Sequence, residues 1–446
     1  MYSIIVSVGF KFYSVEAMMT FTALKNWTLK QITINKRLQS VCLWYLLFLM
    51  VPVRKHSLIE AARFSGLATS QFSRFLSSHV DVAVYHLHQL SKRQALQFSQ
   101  ALDTLAHGQL PWRVAILIDS TIQHRSSLHA ENVQRFNHGK GFKIGHQWTN
   151  IVLLIKDILV PLPPIAFYTK SYCRKNNLQY RTENDLVVEY IENLNLFDYI
   201  GYHDPGAVVV LADSGYDDRK IENAIVKRKW HFIISLNKTR SAKSARHYAI
   251  TPKSTGWSHV AQLFKDHRRI RWQTIRVPVN RSTKKRMEFR LRQIIGYLRD
   301  VGYVQLICSE FKKRPGASKK YLACSDRKAK ARQIIIGYRM RWSIEIFHKK
   351  IKMFLGFEEV ATKRFSSVMS HVHWVYCAYI LLMAAPMTAP VEDKSIEQRQ
   401  RRISQIIGSK ETRRVIQLLT RINGPERYKR ELQNQVNIGS EEAYFR

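Results

Sequence analysis

Four side chains in one stretch could act together on a phosphate: Tyr338, Arg341, Glu345 and Lys352. No Gly or Pro falls between Gly337 and Gly356, so the stretch is expected to form one helix. At about 100° per residue, Arg341, Glu345 and Lys352 lie at about 300°, 340° and 320° from Tyr338. A phenol, a guanidinium, a carboxylate and an ammonium would then share one stripe. Ile336, Met340, Ile344, Phe347, Ile351 and Phe354 would take the other side and be buried. A single Arg-Glu pair at i,i+4 is worth only about 0.2–0.5 kcal/mol and is common on solvated helices. A carboxylate set among three phosphate-seeking groups, however, suits a site that holds a metal against nucleic acid.

Two further carboxylates strengthen that reading. Asp119 closes the apolar run Val114–Ile118, and Asp213 closes Ala207–Ala212. Both runs read as buried strands with an acid at the C-terminal end. Ser214-Gly215-Tyr216 makes a turn after the second, and Asp217–Arg228 a helix. The βα alternation predicts an α/β fold with parallel strands, in which chemistry collects beyond the C-terminal strand ends. An aspartate there can be a mere helix cap; two of them, with the Glu345 stretch, are harder to dismiss.

The rest of the chain must position these groups. Residues 19 to about 108 have helical spacing. Within them, Ser57–Leu76 has a helix-turn-helix outline: one helix ends at Gly66 and a second starts after Thr69 or Ser70, exposing Gln71, Ser73 and Arg74 to DNA. An ordinary helical hairpin would read the same way. Residues 120–147 are polar and carry His124, His129, His138 and His146 without metal-ligand spacing, so they read as loop. Thr149–Ile155 and Ile158–Phe167 read as strands joined by a hairpin turn at Asp157. Thr182–Leu194 reads as a capped amphipathic helix, and 231–235 as another strand.

From Asn237 to Lys320 there are 22 Lys or Arg and four acids. Alternation over Arg268–Val279, Phe289–Leu298 and Tyr303–Cys308 predicts a basic, mostly β insertion. Trp257 and Trp272 are expected in its small core, with stacking on DNA as the alternative. Tyr321–Ser325 returns to strand, and a polar, basic helical tail follows Glu392. The boundaries are 1–108 for the helical N-terminal DNA-binding region, 109–236 and 319–388 for the two parts of the core, 237–318 for the insertion and 389–446 for the tail.

Composition limits the function. The chain has 446 residues, 71 Lys+Arg against 33 Asp+Glu, and a formal net charge of +38. Such a field favours a polyanion, usually nucleic acid. RNA-structural and membrane-surface roles fit the charge but leave the carboxylates unexplained, and the basic residues are not gathered beside an apolar anchor. Cys42, Cys173, Cys308, Cys324 and Cys377 are scattered, with no CxxC, and indicate neither zinc nor disulfides but a reducing cytoplasm. The apolar runs Cys42–Val53 and Trp374–Met387 fall short of the ~20 residues of a spanning helix and read as core helices. Residues 1–17 carry little pattern, so the chain's start could equally be Met18 or Met19.

Tyr338, Arg341, Glu345 and Lys352, spaced Y-x2-R-x3-E-x6-K, resemble the signature of DDE transposases of the insertion-sequence-four family. Asp119 and Asp213 match that family's other two acidic positions, the second followed by Ser-Gly-Tyr, and the resemblance runs over about residues 110–385. It implies a ribonuclease H-like catalytic core interrupted by the insertion. It also implies that Asp119, Asp213 and Glu345 are catalytic and hold two Mg²⁺ ions, with Mn²⁺ as substitute. Tyr338, Arg341 and Lys352 would bind DNA phosphates near the cleaved end. The implied reaction cuts the ends of an insertion sequence and joins them to target DNA. The implied partners are double-stranded DNA, as terminal inverted repeats and target, and a second copy in a homodimer. No membrane is implied, and the location would be the bacterial cytoplasm at the nucleoid. A non-catalytic DNA-binding protein derived from a transposase, and a nuclease of the same fold, are the alternatives.

Overall fold

The computed structural model describes residues 20–408 except 100–103, 107, 127, 139–140, 157, 202–203, 252–253, 268–269, 279–285, 313–318 and 386–394. The expected turn at Asp157, the basic pair Arg268 and Arg269, residues 1–17 with Met18 and Met19, and most of the 389–446 tail lie outside these residues. The chain divides into two compact units, residues 1–75 with 381–446 and residues 76–380.

The first unit is helical. Its helices Phe21–Gln31, Lys36–Leu49 and Leu58–Ser65 start at Thr20, Asn35 and Ser57, each of which caps a backbone N–H with its side chain. Gly66, at φ 76°, ends the third in the left-handed conformation that L side chains avoid. The next helix, Thr69–Ser78, begins where the helix-turn-helix outline put it. Phe72 and Phe75 turn inward against Tyr45, while Gln71, Ser73 and Arg74 stay exposed. Gln71 is already occupied, since its amide oxygen caps the N–H of Ala68 at 3.0 Å.

The second unit is built on one mixed sheet, made of β1 (Val114–His124), β2 (Gln134–His138), β3 (Gly141–Ile155), β4 (Ile158–Pro161), β5 (Ile165–Ala166), β6 (Val208–Ala212), β7 (His231–Leu236), β8 (Ser241–Ser244), β9 (Ser258–His259), β10 (Gln273–Pro278), β11 (Arg286–Leu298), β12 (Gly302–Phe311) and β13 (Lys320–Cys324). The order is β2-β3-β1-β6-β7-β13-β12-β11-β8-β9, with β4 and β5 also on β3 and β10 on β11. Only β1, β6 and β7 run parallel; β3 joins β1 and β13 joins β7 antiparallel. The expectation of parallel strands therefore holds for the centre of the sheet alone.

Side chains alternate across a strand. On β1, β6 and β7, Ile116, Ile118, Val210, Phe232 and Ile234 enter one core cluster, which also holds Val187, Ile191, Ile221 and Ile225 from the helices Glu183–Asn193 and Arg219–Lys227. The other face meets the helices Ala331–Met340 and Trp342–Phe354. At Gly337 the approach is close: a Cβ there would stand 2.9 Å from Ile233 Cδ1 and 3.1 Å from Trp112. The helix Phe365–Ala384 is long and apolar enough to cross a membrane, but most of it is buried within the protein. Its polar atoms are used inside, as in the bond from Tyr376 to Asn150.

Three expectations need correcting. Residues 120–147 are not a loop: β1 runs on to His124, β2 follows, and β3 starts at Gly141. The antiparallel β1–β3 ladder extends past the apolar core, where its strands need no apolar alternation. Asp119 is therefore inside a strand and not at its end. Finally, Tyr338–Lys352 is not one helix: the Ala331–Met340 helix ends and Trp342–Phe354 begins at Arg341. The N–H of Arg341 bonds to the Tyr338 carbonyl, and that of Ile344 to the Arg341 carbonyl, tightening the turn to i→i−3 spacing.

Candidate active site

The parallel β1–β6 register pairs Ile118 with Ala212. The next residues, Asp119 within β1 and Asp213 directly after β6, therefore stand level on neighbouring strands. Counted by alternation, both belong to the face covered by the Trp342–Phe354 helix. That helix supplies Glu345 in its first turn. The Asp213 carboxylate also accepts from Gly215 N–H at 2.8 Å, so it is at once the cap of the Ser214–Tyr216 turn and a member of the site.

Asp119 feels the other two carboxylates. Burial, the largest cause, together with the charges of Asp213 and Glu345 raises its carboxyl to about 7 against the pull of Arg341. Arg341 is the counter-charge: it donates to Glu345 and reaches 3.8 Å from Asp119. Its guanidinium also lies 5.9 Å over the Tyr338 ring.

The helix break falls between Tyr338 and Glu345, and Arg341 at the break reaches both. Lys352, two turns beyond Glu345 on the same helix, donates to the Ile122 carbonyl at 2.6 Å and pairs with Glu358 at 3.0 Å. Tyr338 is buried, with Lys320 Nζ 3.4 Å from its hydroxyl. Met340 and Phe354 are half-buried, while Ile336, Ile344, Phe347 and Ile351 are buried.

Sequence reasoning missed His348. It is buried one turn after Glu345, with Nδ1 3.8 Å from the Asp119 carboxylate and Nε2 2.8 Å from the Asn150 amide. Tyr376 donates to the Asn150 oxygen, so the Asn150 nitrogen donates to His348 Nε2 and the ring carries its proton on Nδ1, facing Asp119. Burial, with Lys352 and Arg341 nearby, lowers the His348 pKa to about 3, so the ring is neutral. The spacing Glu345-x2-His348 is a signal that could have found it. Glu183 was also missed. It accepts from Thr149 at 2.7 Å and from Tyr216 at 2.8 Å, which ties the Asp213 turn to β3.

The extension of β1 is the second support. Gln123 donates to the Phe357 carbonyl at 2.6 Å, and the Arg125 guanidinium to the carbonyls of Val360 and Thr362. With the Lys352–Ile122 bond, these fix the segment after the Glu345 helix to the strand that carries Asp119. The expected tryptophans are only half-buried: Trp272 lies between Arg290 and Arg292, and Trp257 beside Tyr248 and Lys243.

Among the described residues no three His, Cys, Asp or Glu side chains stand together at metal-ligand distance. The donor chemistry nevertheless fits a hard divalent cation. Asp119, Asp213 and Glu345 offer only oxygen, and the mutual repulsion felt at Asp119 is what such a cation relieves. Residues 196–381, fewer than half of the chain, match the family described as transposase DDE domain. That span includes Asp213 and Glu345 but not Asp119. No curated protein matches the chain.

Proposed function

We propose that the chain is a DDE transposase of the insertion-sequence-four type, with a ribonuclease H-like core in which Asp119, Asp213 and Glu345 are catalytic. The observation that carries this reading is the level placement of Asp119 and Asp213 by the β1–β6 register, beside a glutamate whose charge Asp119 feels. Asp213 and Glu345 also lie within the matched transposase DDE domain.

In this reading the three carboxylates hold divalent cations, which supply Lewis acidity to the phosphodiester being cut. Glu345 reaches the site from its own helix, which already lies against β1. Arg341 balances the acids and is placed to turn its fork toward a phosphate. Lys352 exchanges Glu358 for a phosphate, and Tyr338 braces Arg341 from beneath. His348, neutral and fixed by Asn150, holds the Asp119 carboxylate in place. Double-stranded DNA is the substrate, bound through the charge of the chain and the exposed face of the Thr69–Ser78 helix. Two copies would hold the two ends.

The test is cleavage of DNA carrying the element's own ends, recovered from sequence flanking the gene. Wild type is incubated with Mg²⁺ or with chelator, beside Glu345→Gln. Cuts at the ends that need the metal and vanish in the variant are the expected result. Binding without cutting under every metal tried would overturn the catalytic reading in favour of a DNA-binding derivative.

A further inference from the structure

A basic cavity lies against the acidic site, and none of the groups considered so far accounts for it. It measures about 410 Å³ and is lined by Ser214, Asn237, Thr239 and three lysines, Lys238, Lys319 and Lys320. Small-ligand sites span about 300–1,000 Å³. One wall is the Asp213 turn itself: Ser214 follows Asp213, and Asn237 donates to the Ser214 carbonyl at 3.1 Å. The turn is further held by Asp217, which accepts from Asn237 N–H at 2.7 Å. The other wall leads to the Ala331–Met340 helix, because Lys320 Nζ sits 5.1 Å over the Tyr338 ring, and Arg341, which pairs with Glu345, lies 5.9 Å over the same ring.

The three lysines are exposed, and no described carboxylate forms an ion pair with any of them. Ammonium groups left without counter-charge, a few residues from a cluster of carboxylates, attract an anion that the acids themselves repel. The hydroxyls and amide of Ser214, Asn237 and Thr239 add neutral donors and acceptors, which suit a sugar and a base edge.

We propose that this cavity holds one nucleotide of the DNA strand being cut, its phosphate on Lys238, Lys319 and Lys320 and its sugar and base against Ser214, Asn237 and Thr239. This rests on the reading that the acidic cluster cuts DNA, and the test separates the two.

The probe is thymidine 3′,5′-bisphosphate, titrated calorimetrically into the full chain in chelator. Wild type should bind it saturably, and Glu345→Gln, with one repelling charge fewer, at least as tightly. The Lys238→Ala/Lys319→Ala double variant should weaken it about tenfold or more, as loss of two charge-assisted contacts implies. Thr239→Trp keeps every lysine and fills the cavity, and should weaken it comparably. No saturable binding to wild type would overturn the proposal, as would unchanged binding in both variants. So would weakening by the lysine variant alone, which would mean charge without a cavity. Inorganic phosphate that competes as well as the bisphosphate would overturn the nucleotide assignment. Metal-dependent cleavage is scored separately: a wild type that binds the probe but never cuts DNA loses the catalytic reading and keeps the cavity.

Discussion

The two halves of β1 do different work. Val114–Ile118 is buried on both faces and bonded in parallel to β6, so backbone register alone sets Asp119 level with Asp213. Residues 120–124 pair only with β3, and with Arg125 they hold the far segment through polar groups: the Ile122 carbonyl, the Gln123 amide and the Arg125 guanidinium. The first half fixes two carboxylates by hydrogen-bond geometry that substitution of a side chain leaves untouched. The second fixes the third carboxylate indirectly, through side chains that substitution can remove. The two aspartates should therefore be rigid relative to each other, and Glu345 more easily displaced.

The sharpest way to break this contrast is to remove chemistry without touching either support. Glu345→Gln and Asp213→Asn should each lower metal-dependent strand cleavage about a thousandfold, the scale of losing one charge-stabilising group from a preorganised site. Circular dichroism and urea midpoint should stay near wild type. Full cleavage by either variant would remove that residue from the site.

Arg125→Met tests the polar half. Two backbone carbonyls, of Val360 and Thr362, lose a charged donor in a buried setting, at a cost of about 2–4 kcal/mol in urea unfolding. If the β1 extension positions Glu345, cleavage should fall while DNA affinity changes little. A variant as stable and active as wild type would show that the extension braces nothing.

Lys352→Met separates brace from phosphate contact. Losing the Ile122 bond and the partly exposed Glu358 pair should cost about 1–2 kcal/mol. If Lys352 also meets a phosphate, the slope of log affinity against log salt should shrink by about one. Lost stability with an unchanged slope would leave Lys352 as a brace only.

The same contrast decides what could be read from the sequence. Apolar runs ending in aspartate are a local pattern, and both strands were found, with the acids in them. The helix-turn-helix caps at Ser57 and Gly66 are equally local. The polar half of β1 reads as loop because period-2 alternation needs a buried face, and these residues are held by partners more than 200 positions away, such as Phe357 and Val360. The same distance hid His348, whose role is set by Asn150 and Asp119. Arg341 is not a helix-breaking residue type and keeps helical backbone angles, so propensity gives no sign of the turn there. The lysine cavity is formed by residues from three separate stretches and has no linear signature.

His146 offers the finest test, because it belongs to the polar half through β3, opposite Gln123. Its Nε2 lies 2.9 Å from the Glu131 carbonyl. Burial is the main cause that lowers its pKa from 6.5 to about 4, with Arg125 adding to it and the Glu131 bond opposing. The folded ring therefore stays neutral down to about pH 4, whereas the unfolded ring takes a proton near 6.5. Between those values the unfolded chain binds more protons, so stability falls as pH drops through that window and loses nothing further from this group below it. At about pH 5.5 the loss from this one residue is about 1.2 kcal/mol relative to pH 7. Buried His86 and His373, both also lowered to about 4, add to the same slope. His146→Gln should keep a donor toward Glu131 and reduce the pH dependence of the urea midpoint by one proton's share, leaving the neutral value close to wild type. An unchanged slope would mean that His146 is charged in the fold, and that the polar half of the strand is wetter than its packing implies.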